Sequence, residues 1–182
     1  MKRVILIFLF ININGPSLGS IKDNIISNLV NTDNLSFNFE QNINGKIETG
    51  NCFVEYPKKI FCKYKKKNNK ILVSNGKSLV IKTKVSYYRY PLNKTPLYLI
   101  LDKKFLIDKI YNLKERIIDN SLINYTIKEN EHEINVFFDD TTFNLIGWQT
   151  KDVYQNLTIT FISSIKRNEI FDKDIFKLPI QN

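Results

Sequence analysis

The residues in this chain that are able to do chemistry are few, and most have a plainer reading. The single histidine, His132, stands in Glu131-His132-Glu133, just ahead of an apolar alternation. A solvated turn residue explains it better than a general base or a metal ligand. Asp139 and Asp140 would suit acid–base work as a pair, but neighbours on a strand point to opposite faces. In Asp139-Asp140-Thr141-Thr142 they read as turn formers. No serine sits in a nucleophile elbow, and no glycine-rich phosphate loop occurs. The run Lys65-Lys66-Lys67 offers a dock for an acidic partner, but a solvated hairpin tip is the simpler account. Cys52 and Cys62 alone cannot complete a zinc site, since the only histidine is far away in sequence. A catalytic set, a metal centre and a bound cofactor are therefore not expected, and the chain does not read as an enzyme.

The cysteines gain meaning from the elements around them. They flank Tyr56-Pro57-Lys58-Lys59, a turn-like stretch. A hairpin centred on Pro57 sets Cys52 opposite Cys62 on one sheet face. In an oxidising compartment such thiols pair, which makes a structural disulfide the favoured reading over a redox pair. The N-terminus points to that compartment. Lys2 and Arg3 are followed by a nearly unbroken apolar run, Val4 to Ile13, then Gly15, Pro16 and the small residues Ser17 and Gly19. That order is a secretory signal peptide over residues 1–19, with cleavage after Gly19. The run is too short to be a membrane span, and no cysteine follows it to take a lipid anchor. Residues 20–182 then form one domain, expected in the periplasm and soluble. The formal charge of +9 falls to +7 without Lys2 and Arg3. Secretion argues against a nucleic-acid partner for that charge.

Periodicity sets out the elements. Ile21, Ile25, Ile26, Leu29 and Val30 make a helical stripe. From Leu35 the period becomes two, with Phe37 and Phe39 on one face. Gly45 and Gly50 are read as bracketing a turn and the start of the next strand. The hairpin Cys52–Tyr56 and Ile60–Tyr64 follows, and then strands at 71–74 and 79–83 around Asn75-Gly76, a strong hairpin turn. After Tyr87, Tyr88, Tyr90 and Pro91, Thr95 is expected to cap a helix with Pro96 at its first position. Residues 97–101 and 105–110 are very apolar for short helices, so they need something to cover. Strands are expected again at 124–128, 134–138, 145–151 and 157–163, with a last short segment at 171–176. The fold class is α+β with a dominant antiparallel sheet interrupted by a helical insertion. Aromatic residues make up 13% of the chain. A curved sheet with helices across its mouth would turn this apolar surplus into a cavity, whereas a plain core would simply bury it, and composition does not separate the two.

Several segments, in order, resemble the LolA family of periplasmic lipoprotein carriers. They are Phe39-Glu40-Gln41; the strand from Gly50 through Cys52-Phe53-Val54-Glu55-Tyr56-Pro57 to Tyr64; Ser74-Asn75-Gly76-Lys77-Ser78-Leu79; Thr95-Pro96-Leu97-Tyr98-Leu99-Ile100-Leu101; Ile146-Gly147-Trp148 with Asp152; Leu157-Thr158-Ile159; and Phe176 with Pro179. Each is weak alone, but together they cover nearly all of residues 20–182. The resemblance implies an unclosed, strongly curved antiparallel β-barrel, a half barrel, with an N-terminal helix and a helical lid. It implies a chaperone that binds the acyl chains of lipoproteins in an apolar cavity. Cargo would come from an inner-membrane ABC lipoprotein-release complex and pass to an outer-membrane acceptor lipoprotein, the carrier acting as a monomer. The alternative is a relative that carries another envelope lipid or glycolipid.

The expected cargo-binding face combines Val54, Tyr56 and Ile60 with Cys52 and Cys62, by parity across the hairpin, and adds Phe37 and Phe39 of the preceding strand. The lid would add Pro96, Leu97, Ile100 and Leu101. Two departures from the family stand out. Many members place an arginine just before the turn proline, where it holds the lid closed, and here that residue is Tyr56. Cys62 falls where the family often has a large aromatic, so a disulfide would replace aromatic packing.

Overall fold

The computed structural model describes residues 19–65, 69–119, 121–129, 132–151 and 155–181. The expected signal peptide, apart from Gly19, lies outside the described residues, as do Lys66 and Lys67, Glu131, and the turn residues 152–154.

Chain order explains the architecture. Helix α1 (Ile21–Val30) begins at Ser20, whose side chain accepts from the Asp23 amide while the Asp23 carboxylate accepts from the Ser20 amide. This reciprocal cap satisfies two N–H groups that have no partner inside the helix. Five antiparallel strands follow: β1 (Asn34–Ile43), β2 (Lys46–Glu55), β3 (Lys59–Tyr64), β4 (Ile71–Asn75) and β5 (Ser78–Lys82). Tyr87–Pro91 forms β6, and the lid insertion holds α2 (Leu97–Ile100) and α3 (Lys103–Asn112). The chain then returns through β7 (Arg116–Ile118), β8 (Leu122–Glu129), β9 (His132–Asp139), β10 (Leu145–Lys151) and β11 (Leu157–Arg167). The eleven strands make one antiparallel sheet, β6-β5-β4-β3-β2-β1-β11-β10-β9-β8-β7. The last strand lies beside the first, so both ends of the order are free edges and the barrel is unclosed.

Burial alternates along the strands as one face turns inward. β1 buries Leu35, Phe37 and Phe39, and β2 buries Glu48, Gly50, Cys52 and Val54. The β4–β5 hairpin turns at Gly76-Lys77, just after Asn75: Gly76 holds φ +94° and the Asn75 side chain accepts from the Lys77 and Ser78 amides. Cys52 pairs directly with Cys62 between β2 and β3, and the two are disulfide-bonded. The Tyr56–Pro57 bond of this hairpin is cis.

Four expectations need correction. Gly50 lies inside β2 rather than at its start, because a Cβ there would overlap the Lys63 carbonyl and come 2.6 Å from Phe39 Cε1. The Thr95 hydroxyl does not cap α2; it donates to the Leu92 carbonyl at 2.8 Å, closing the short 3-10 turn at residues 92–94. His132 is the first residue of β9, paired with Glu129, rather than a residue of the preceding turn. Strands β6 and β7 lie outside the expected set. Asp139 does form a turn, accepting from the Thr141 and Thr142 amides and the Thr142 hydroxyl. These bonds to the ionised form hold its pKa below the ordinary value.

Candidate functional site

The concave face divides into two parts. Over β8 and β9, Ile123, Tyr125, Ile127, Ile134, Val136 and Phe138 meet Ile25 of α1 and Leu106 and Ile110 of α3 with no exposure. Over β1 to β6 and the neighbouring parts of β11 and β10 the face is hollow. A cavity of about 510 Å³ lies there, walled by the sheet and roofed by α2. Its size suits one small-molecule-sized ligand.

The cavity has an apolar end and a polar end. Under the lid stand Phe37, the Cys52–Cys62 bridge, Ile60, Leu72 and Leu79, with Pro96, Leu97 and Ile100 above them. Toward the other end the wall is made by Gln41, Tyr64, Lys70, Thr150, Thr158 and Thr160. Lys70 Nζ lies 2.6 Å from Glu48 Oε2 and 4.0 Å from the Tyr64 ring centroid. Burial, reinforced by the Glu48 charge, pushes the Tyr64 phenol well above its ordinary pKa, so it stays a neutral hydroxyl. Gln41 Nε2 donates to Thr160 Oγ1 at 3.1 Å.

Among the expected cargo-binding residues, Phe37, Phe39, Ile60, Pro96, Leu97 and Ile100 line this cavity, together with both cysteines. Val54, Tyr56 and Leu101 do not. Val54 is buried in the core beside Leu35 at the lid end. Tyr56 lies past the end of β2, against Leu29 and Thr32 of the α1 end in a separate small pocket. Leu101 closes α2 and is buried in the core.

The lid is held from the β2–β3 turn, by Lys58 rather than Tyr56. The Lys58 amide donates to the Leu101 carbonyl at 2.8 Å. Its Nζ donates to Tyr98 Oη at 3.0 Å, pairs with Asp102 Oδ2 at 3.0 Å and lies 4.2 Å from the Tyr98 ring centroid. The bond to Tyr98 and the Asp102 carboxylate together raise the Lys58 pKa, against a smaller opposing effect of burial. Asp102 also caps α3, accepting from the Phe105 amide. One lysine thus fastens both ends of α2. Sequence reasoning missed Lys58 and the polar wall. The available signal was the acidic residue between the two lid helices, which needed a cationic partner within reach.

A strongly curved, half-open sheet enclosing an apolar cavity under a short helical lid is the architecture of a binding protein for apolar or amphiphilic ligands. The sequence matches the model of the family described as outer membrane lipoprotein carrier protein LolA over residues 30–179, and the chain belongs to that family. This is a family of periplasmic carriers rather than of enzymes. Among solved structures, an uncharacterised conserved protein from Thermus thermophilus shares the fold at a TM-score of 0.51 and 8% identity, over 87% of this chain and 92% of that one. A LolA superfamily protein from Nitrosomonas europaea aligns over 86% of this chain and 96% of that one, at a TM-score of 0.45 and 8% identity. MucB from Pseudomonas aeruginosa, solved in complex with MucA, aligns over 87% of this chain and 61% of that one, at a TM-score of 0.49 and 10% identity. No curated protein matches the sequence. Among the described residues no helix is long and apolar enough to cross a membrane.

Proposed function

We propose that this protein is a periplasmic carrier that takes lipoproteins by their acyl chains and moves them from the inner to the outer membrane. The observation that supports this best is the hollow, apolar half of the barrel beneath the latched lid. Each buried acyl methylene contributes about 0.8 kcal/mol, so ten give a gross ~8 kcal/mol before ordering costs. That suffices to keep an acylated protein in water, and an opening lid lets it leave. Cargo arrives from an inner-membrane ABC lipoprotein-release complex and passes to an outer-membrane acceptor lipoprotein. Residues 1–19 direct export as a signal peptide, and the carrier works as a monomer.

The test adds purified protein, without residues 1–19, to spheroplasts and measures acylated lipoprotein in the soluble fraction. Stoichiometric soluble complex is expected, and its loss with Leu97→Glu, which puts a charge in the cavity roof, places cargo under the lid. A folded protein that releases no lipoprotein but takes up other lipids would sink the lipoprotein reading and favour another envelope lipid or glycolipid as cargo.

A further inference from the structure

The polar end of the cavity is an ordered row on one sheet face. Thr150 of β10 stands directly opposite Thr158 of β11, and Thr160 stands opposite Gln41 of β1, which in turn faces Glu48 of β2. The three threonines are nearly as buried as the core, at 9%, 6% and 2% exposure in that order. Their hydroxyls are nevertheless poorly used. The Thr150 hydroxyl makes no hydrogen bond among the described residues. The Thr158 hydroxyl reaches only the Asn156 carbonyl, at a long 3.5 Å. The Thr160 hydroxyl accepts from Gln41, which leaves its own proton without an acceptor among the described residues. Strand propensity does not account for this. Valine has the same shape and strand preference, so neither shape nor strand preference calls for a hydroxyl on this cavity wall.

We propose that this threonine row is a head-group subsite that donates hydrogen bonds to the ester and amide carbonyls of a diacylglyceryl-type amphiphile and so fixes its direction in the cavity. The inference rests on the lipid-binding reading above. Direction follows from position. The row at Gln41 lies four residues along β1 from Phe37 at the lid end of the cavity, about 13 Å at the rise of a strand. Carbonyls held at the row would leave the acyl chains pointing toward the lid. The chemistry also selects the head. The deep cation of this wall, Lys70, is already neutralised by Glu48 at 2.6 Å. The other lysine, Lys151, stands exposed at the rim, where water solvates its charge. What the buried wall offers is neutral donors, which suit uncharged carbonyls. A phosphate brought against it would meet the Glu48 carboxylate.

The experiment displaces a fluorescent fatty acid from the folded, disulfide-bonded protein with three probes of equal chain length: an ester-linked diacylglycerol, its ether-linked dialkyl analogue, and a dialkyl glycerol phosphate. The ester probe should bind about fivefold more tightly than the ether probe for each carbonyl engaged. The Thr150→Val/Thr158→Val/Thr160→Val variant should lose that preference while keeping its affinity for the ether probe, which shows that the cavity is intact. Equal binding of ester and ether probes by the unaltered protein, a preference retained by the variant, or tightest binding of the phosphate probe would each overturn the subsite. Failure of all three probes to displace the fluorophore would overturn the lipid-binding reading itself.

Discussion

Strands β8 and β9 and strands β3 to β5 belong to one sheet and present similar concave residues, yet one region is packed solid and the other is hollow. The difference lies in what covers them. Helices α1 and α3, ten residues each, are about 15 Å long and lay Ile25, Leu106 and Ile110 onto β8 and β9. Helix α2 has four residues, about 6 Å, and can roof the other region without filling it. The side chains at the cavity floor reinforce this, since the Cys52–Cys62 pair ties β2 to β3 covalently with two small side chains. Close packing is concentrated in one half of the molecule and vacancy in the other.

The contrast is broken most directly by the same substitution in the two halves. Ile134→Ala removes a fully buried side chain from the solid half and should cost about 3–4 kcal/mol. Ile81→Ala in the cavity wall removes contacts that are already partial and should cost about 1 kcal/mol. Urea unfolding curves of both variants check the pair; equal losses would mean that the hollow half is as tightly packed as the other. Next in size is the staple. Cys52→Ala/Cys62→Ala should destabilise by about 2–3 kcal/mol, as expected for a short closed loop. Reduction of the unaltered protein should lower its Tm by a comparable amount, and the variant should show no response to reductant.

The hollow half was also the less legible one. Its hairpins were readable, because Tyr56-Pro57 and Asn75-Gly76 punctuate runs of period two and so fix the register that pairs Cys52 with Cys62. Parity put Phe37 with Phe39 on one face of β1 and Cys52 with Cys62 on one face of the hairpin, but parity alone does not say which face is concave. Nor does it say where a helix fills that face, so Val54 shares it without reaching the cavity, and Tyr56, past the strand end, turns to α1. Gly50 looked like punctuation because the ring of Phe39 that requires it comes from another strand. Strand β7 has three residues, too few to show a period, and β6 ends at a proline on a sheet edge, where its aromatics read as irregular chain. Lys58 was hidden for a related reason, since its partners Tyr98 and Asp102 lie forty and more residues away.

The latch sharpens the comparison by asking what holds the hollow half shut. Lys58→Met keeps most of the side-chain length and removes the charge. The Lys58–Asp102 pair is about one-fifth to one-quarter exposed, so screening limits its loss to about 1 kcal/mol. Hydrogen exchange of the α2 amides should quicken in the variant, while β8 and β9 amides remain protected. The sign of the pH dependence follows from the raised Lys58 pKa. The bond to Tyr98, then that to Asp102, favours the charged form in the folded protein. The latch is at full strength below the ordinary lysine pKa and is lost as pH rises through the raised folded value. The exchange difference between the protein and Lys58→Met should therefore be constant through neutral pH and vanish in strong alkali.

The smallest effect tests whether the solid half is as perfect as its burial implies. Tyr125 has no exposed surface, packs edge-on against Phe138 with ring centroids 6.1 Å apart, and its hydroxyl has no hydrogen-bond partner among the described residues. Burial raises its pKa to about 12, with the Glu115 charge adding to the shift, so the group is a neutral, unsatisfied donor over the physiological range. Tyr125→Phe keeps the ring and its edge contact and deletes only the oxygen. Because an unsatisfied buried hydroxyl costs about 1 kcal/mol or more, the variant should be slightly more stable, by up to about 1 kcal/mol, with a Tm higher by a few degrees. A drop in Tm instead would show that the hydroxyl is held by a partner, and that this half of the barrel keeps a polar contact within its apolar packing.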